Sequence, residues 1–197
     1  MKAPPFQRNL RVLTIRQPWA SLLAHRMKFN ETRSWQTGYR GLVAVHSSSG
    51  QPTAEEAALC DKPLFKAALS RISEIPFGAI IAVGTLEAIT PTAYFEIDRS
   101  SMEYAFGDYQ PDRYAWHFTG MRLIDPIDTK GSLGLWTPDL ELHERVLVAA
   151  GFDRDQGPKP SLNPTNARRE IWPARYDPQE VPRLFLTGRM NKRQLKP

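Results

Sequence analysis

The sequence predicts an α+β fold: a small mixed β-barrel with helical insertions and a C-terminal extension. Three observations predict it. Five or six short β-branched segments are interrupted by helical patterns, without the regular strand–helix–strand alternation of a doubly wound sheet. Neither a GxGxxG nor a P-loop pattern occurs, which disfavours a nucleotide-binding fold of that kind. At 197 residues the chain holds one core with decoration and is too short for two large domains.

The elements follow in order. Arg11-Val-Leu-Thr-Ile15 alternates and is β-branched, so it reads as a strand. Pro18 then suits a first helical position, and Trp19, Leu22, Leu23 and Met27 fall at helical spacing, which predicts a short helix ending near residues 26–28. Glu31-Thr-Arg-Ser-Trp35 alternates again. After the turn signal Gln36-Thr-Gly-Tyr39, residues 41–46 form a short buried-strand pattern. Thr53-Ala-Glu-Glu56 is a capping box and starts a helix, which Pro63 divides from a second one over residues 64–72. The acidic, Ala-rich face of this pair reads as solvent-facing decoration. Residues 78–89 are the longest apolar run and predict a strand buried on both faces, bent at Gly84. Residues 91–112 read as a polar, aromatic-studded loop with one helical turn. A further strand runs from Arg113 toward Ile124, and residues 130–136 form a glycine-hinged loop. Residues 138–150 fit a closing helix with Thr137 as N-cap, Pro138 first, a stripe of Leu142, Val146 and Ala149, and Gly151 after the end. Beyond it the composition turns to linker. Trp172, Tyr176 and the apolar residues 184–186 are nevertheless expected to pack back on the body, leaving the last ten residues free.

Composition narrows the function. A single cysteine, Cys60, forms neither an internal disulfide nor a multi-thiolate metal site, and no apolar run has the length of a signal peptide or membrane span. The expectation is a cytoplasmic protein with no membrane contact, no metal and no cofactor. The net charge of +5 conceals a segregation. Residues 1–46 carry eight basic side chains against one acid, residues 47–164 carry ten against seventeen, and residues 165–197 carry eight against three. A basic front and a basic tail around an acidic middle fit a chain with one polyanion-facing surface.

Several motifs are recognisable. Leu13-Thr-Ile-Arg-Gln-Pro-Trp-Ala-Ser-Leu-Leu, Lys28-Phe-Asn-Glu-Thr-Arg-Ser-Trp35, Tyr39-Arg-Gly41 and Val45-His-Ser47 follow one another closely. Together with Tyr114-Ala-Trp-His-Phe and Lys130-Gly-Ser-Leu-Gly-Leu-Trp136, this order resembles the ASCH domain, a PUA-like β-barrel family linked to RNA. The resemblance spans residues 10–137, with residues 50–72 and 91–112 as insertions. Residues 138–197 lie outside it as a C-terminal helix and basic extension. It implies RNA, another single-stranded nucleic acid or a modified nucleotide as partner.

The matched residues carry their own physics. If Glu31, Arg33 and Trp35 alternate on a strand they share one face, with Lys28 at the preceding helix end and Arg16 and Arg40 close by. Arginine forks suit phosphate or base edges, an aromatic plane suits stacking, and one carboxylate accepts from a base amine. The nucleic-acid-binding set is therefore Arg16, Trp19, Lys28, Glu31, Arg33, Trp35, Tyr39, Arg40 and His46. Plainer readings stand beside it: Trp19 as core, Glu31 as a structural ion pair with Lys28 or Arg33, and Arg40 as a solvated turn residue. His46 has no ligand partner at metal-binding spacing.

The alternative is a hydrolase acting on RNA or a modified nucleoside, with Lys28 and Glu31 as catalytic pair. Some compact ASCH-like proteins are similar in placing a threonine nucleophile three residues after a lysine, for deacetylation of acetylcytidine. Here Glu31 stands at that place, so the hydroxyl is lost, and the neighbouring Thr32 points to the other face of a strand. A third reading is a protein-interaction adaptor using the C-terminal extension.

Overall fold

Alternation in the first strand sets up two cores, one on each side of a sheet. A computed structural model describes residues 9–152. The basic tail and the expected packing of residues 172–186 lie outside the described residues. β1 (Leu10–Ile15) sends Leu13 and Ile15 to one face and Leu10 and Val12 to the other. It pairs in parallel with β3 (Gly41–Ser47), whose Val43 and Val45 join the first face and Ala44 the second. β4 (Ala79–Pro91) pairs antiparallel with β3 and with β5 (Tyr114–Asp128); β2 (Asn30–Arg33) lies beyond β5, and β6 (Leu135–Trp136) beyond β1. The result is a mixed sheet of order β2-β5-β4-β3-β1-β6, curved into a half-barrel. Register shifts at Val45/His46, Ile80/Ala82, Val83/Thr85 and Leu86/Ala88 insert extra residues that bend and twist the strands. The expected bend at Gly84 is one of them. A side chain there would meet Met121.

Helices cover both faces. α1 (Trp19–Ala24) buries Ala20, Leu23 and Ala24 against the first core, where Trp116 is fully enclosed. Its own outer side is covered in turn. Leu22 packs with Phe65 and Ala68 of α3 (Pro63–Leu69) and with Phe106 after α4 (Met102–Ala105). The decoration expected of residues 54–72 therefore needs correction. α2 (Ala54–Cys60) buries no residue and begins with the expected Thr53–Glu56 capping box, but α3 closes a third core. On the far face, α5 (Leu140–Ala149) seats Leu142, Val146 and Leu147 on Val12, Ile80 and Val83. Its N-cap is Asp139, which accepts from the Leu142 amide, rather than Thr137. Thr137 is held instead by a hydrogen bond from Arg11. Ala149 faces solvent, and Leu147 and Ala150 complete the stripe.

The turn after α1 positions the site. Pro18, joined to Gln17 by a cis bond, is the N-cap rather than the first helical residue. The buried Gln17 side chain accepts from the Ser21 amide, so a helix start without a capping hydroxyl still has an acceptor. The helix stops at Ala24, earlier than its periodicity predicts. Arg26 has φ 60°, and the Met27 and Lys28 amides both return to the Leu22 carbonyl. That left-handed residue costs roughly 1 kcal/mol and reverses the chain, which turns Lys28 into the interior. No helix among the described residues is long and apolar enough to cross a membrane.

Candidate functional site

Because β2 is an edge strand, side chains from both of its faces reach one cleft of about 500 Å³. The end of β1 and the start of α1 supply Ile15, Arg16 and Trp19; the turn and β2 supply Lys28, Glu31, Thr32 and Arg33, followed by Ser34 and Trp35. The insertions complete the wall through Leu59, Phe65 and residues 105–108, joined by Arg113 just before β5.

At the floor is a buried charge cluster. Lys28 and Glu31 are 1% and 7% exposed. The Lys28 ammonium donates to Glu31 Oε2 at 2.9 Å and to the Phe106 carbonyl at 3.1 Å. Arg33 Nε sits 3.2 Å from Glu31 Oε1, an ion pair whose N–H is not aligned for a hydrogen bond, while Nη2 donates to the Thr14 carbonyl at 2.8 Å. Burial alone would push the Glu31 carboxyl up, but Lys28 and Arg33, with Arg113 further off, hold it below its ordinary value. Glu31 therefore stays ionised in a place where an unpaired charge would be costly.

Arg113 adds a fourth cation. It stands 3.3 Å from Asp108 and donates to the Thr32 carbonyl. The lining thus carries four basic side chains, Arg16, Lys28, Arg33 and Arg113, against two carboxylates, Glu31 and Asp108. Trp35 lies past the end of β2, which stops at Arg33, and is placed by Trp116. The Trp116 indole donates to the Trp35 carbonyl at 3.2 Å, and the two rings meet edge to face at 4.6 Å. Trp19 is half-buried, packed on the first core and lining the cleft, so both of its readings describe part of its surface.

Six of the residues named from sequence meet here: Arg16, Trp19, Lys28, Glu31, Arg33 and Trp35. Tyr39, Arg40 and His46 do not line the cleft. Arg16 lies beside the face of Glu31 and Arg33 as expected, but Arg40 does not, because β1 and β3 run parallel. Arg16 follows the end of one strand and Arg40 precedes the start of the other, roughly 25 Å apart along the strands. Arg40 donates to the Thr37 and Tyr39 carbonyls of its own turn. Tyr39 Oη lies 2.8 Å from the Leu42 carbonyl oxygen and 3.0 Å from that of Asn9. Thr32, expected on the far face, is at the cleft rim and accepts from the Asp108 amide. Arg113 and Asp108 were not legible as site residues. The only sequence signal was an arginine just before a strand, and its relevance depends on β5 pairing with β2.

His46 is 1% exposed beneath the 129–132 loop. Nε2 is 3.1 Å from the Thr129 carbonyl oxygen, which assigns the proton to Nε2 and leaves Nδ1 as an acceptor. Burial lowers its pKa below 6.5, and the Thr129 hydrogen bond only partly opposes this. The unfolded chain therefore binds more protons than the native one as pH falls through 6.5, and native stability drops there. His25, also lowered by burial, adds to the same slope. In urea titrations, His46→Gln is expected to flatten the pH dependence of stability below pH 6.5; an unchanged slope would assign it to His25 alone.

Among the described residues no cluster of His, Cys, Asp or Glu has a geometry suited to a metal ion. No family model matches the chain, and no curated protein matches it either. Among solved structures, the chain is similar to an ASCH protein from Zymomonas mobilis, at 14% identity and a TM-score of 0.42, over 71% of this chain and 95% of that one.

Proposed function

We propose that the β2-edge cleft binds a nucleotide of single-stranded RNA, or a modified nucleotide, with the base directed inward. The observation that carries this reading is the ionised Glu31 carboxylate, buried between Lys28 and Arg33 at the floor of a cleft whose basic side chains outnumber its carboxylates even when the Glu56 partner of Arg16 is counted. Buried charge clusters contribute little to stability relative to apolar packing, so one at the floor of an open cleft points to ligand recognition. A fixed carboxylate accepts from base N–H groups, and flanking guanidinium groups donate to base or phosphate oxygens. Trp19 and Trp35 supply ring surface for sequence-tolerant stacking. The cleft volume falls in the range of small-ligand sites. The motifs that resemble the ASCH domain, Arg16 through Trp19 and Lys28 through Trp35, converge on this same cleft.

The Lys28–Glu31 pair suits binding better than proton transfer. Glu31 is held ionised by two cations, and Lys28 is pinned between a carboxylate and a backbone carbonyl. The test is fluorescence polarisation of a labelled single-stranded RNA at about 50 and 200 mM salt. Wild type is expected to bind with strong salt dependence and to leave the RNA intact. Arg33→Gln and Arg113→Gln are each expected to weaken binding roughly tenfold, the loss of a charge-assisted hydrogen bond. Binding by both variants equal to wild type would move the contact out of the cleft, and cleaved RNA would replace the binding reading with the hydrolytic one.

A further inference from the structure

At the mouth of the cleft one cation is already occupied by an anion from the protein itself. Arg16 donates from Nε to Glu56 Oε1 at 2.7 Å and from Nη2 to Glu56 Oε2 at 2.6 Å, a parallel two-bond pair that matches guanidinium recognition of phosphate. Nη2 is also anchored to the Gln51 carbonyl at 3.1 Å, so the head group is held in place by backbone as well as by its counter-ion. The pair is open to water, with side-chain exposures of 46% and 16%.

We infer that the Arg16 guanidinium is a phosphate site, and that Glu56 is an internal competitor which an incoming phosphate monoester or diester must displace. This rests on the nucleotide reading of the cleft and adds an orientation to it: base at Glu31, phosphate at Arg16. The exchange is chemically balanced. Glu56 also accepts the Thr53 amide at 2.7 Å in the capping box, so its carboxylate keeps a protein partner and gains water when phosphate takes its place on Arg16. Arg16 keeps the Gln51 carbonyl and trades one oxyanion for another. An exposed ion pair is weak enough for such an exchange to proceed without moving a helix. Its effect is to raise the threshold for anions without phosphate geometry and for weakly held polyanions.

Glu56→Gln is the informative variant, because glutamine retains the capping box and removes the charge. With the labelled single-stranded RNA, Glu56→Gln is expected to bind roughly two- to fivefold tighter than wild type, the equivalent of one exposed ion pair. Glu55→Gln, the same charge change on an exposed neighbour in α2, is expected to leave affinity unchanged. Arg16→Gln/Glu56→Gln is expected to bind no tighter than Arg16→Gln. Equal tightening by Glu55→Gln and Glu56→Gln would reduce the effect to net charge and overturn the competitor role. So would wild-type RNA affinity in Glu56→Gln. A second probe separates the anion site from the RNA reading: inorganic phosphate titrated into uniformly ¹⁵N-labelled full-length protein, following the Arg16 Nε–Hε resonance, which is assigned by its loss in Arg16→Gln. A shift at lower phosphate concentration in Glu56→Gln than in wild type supports the site even if no RNA binds, in which case only the nucleic-acid reading falls. A resonance unmoved by phosphate in Glu56→Gln overturns the site.

Discussion

Lys28→Met is expected to cost about 3–5 kcal/mol at neutral pH, because it leaves the buried Glu31 carboxylate without its nearest counter-charge. The Phe106 carbonyl loses its donor at the same time. The deficit carries a pH signature whose sign follows from the site. In the native protein Glu31 is held below 4.5, so its contribution is present above that value and lost as pH falls through the folded pKa. Without Lys28 the balance moves toward the burial effect and the folded carboxyl rises. The variant's deficit therefore shrinks as pH is lowered toward 4.5, where protonation relieves the stranded charge. Lys28→Met/Glu31→Leu removes both charges and is expected to recover about 2 kcal/mol or more of the loss while remaining unable to bind RNA. Urea unfolding of wild type and the two variants at neutral pH and at about pH 4.5 measures each quantity. Equal losses for the single and double variants, with no pH dependence, would show that Lys28 acts through packing alone.

Phe106→Ala is expected to cost about 3–5 kcal/mol and to weaken ligand binding in protein that is still folded. Phe106 is fully buried, meets Phe65 edge to face at 4.7 Å and contacts the third core around Leu22 and Ala68. Its backbone carbonyl is also the second acceptor for Lys28, so the cavity opens next to the charge cluster. Unfolding midpoint and slope give the stability loss, and polarisation with the labelled RNA below the midpoint gives the functional one. Leu133→Ala is the control. It removes a side chain that is 98% exposed and is expected to stay within about 0.5 kcal/mol of wild type. Should Phe106→Ala match that control, the 91–112 insertion would be dispensable to the cleft wall.

These two residues mark where sequence reading succeeded and where it stopped. Lys28, Glu31 and Arg33 were legible as a charged group because their spacing is local and an alternating strand keeps odd residues on one face. Trp35 was placed with them by the same alternation, yet β2 ends before it, and the ring is positioned by Trp116 from β5. Phe106, Asp108 and Arg113 were not legible. Each sits in or beside a polar loop whose pattern resembles surface decoration, and only the pairing of β2 with β5 brings that loop against Lys28. Glu103 illustrates the same dependence. It accepts from the Phe29 and Asn30 amides and from Tyr109, which ties the insertion to the start of β2 across more than seventy residues.

The α+β class, the order of most elements, the capping box at Thr53 and the local Lys28–Arg33 charge group are all written in local residue pattern. All of these follow from side-chain periodicity and short-range hydrogen bonding, which act between residues a few positions apart. Assembly of the sheet decided that β1 and β3 run parallel, which sends Arg40 away from Arg16, and that the insertions wall the cleft. It also decided that Arg16 meets Glu56 forty residues on. Strand direction and long-range pairing are set by how the two faces of β1 and β3 are buried together. That burial is a property of the assembled sheet, which no single segment's pattern carries.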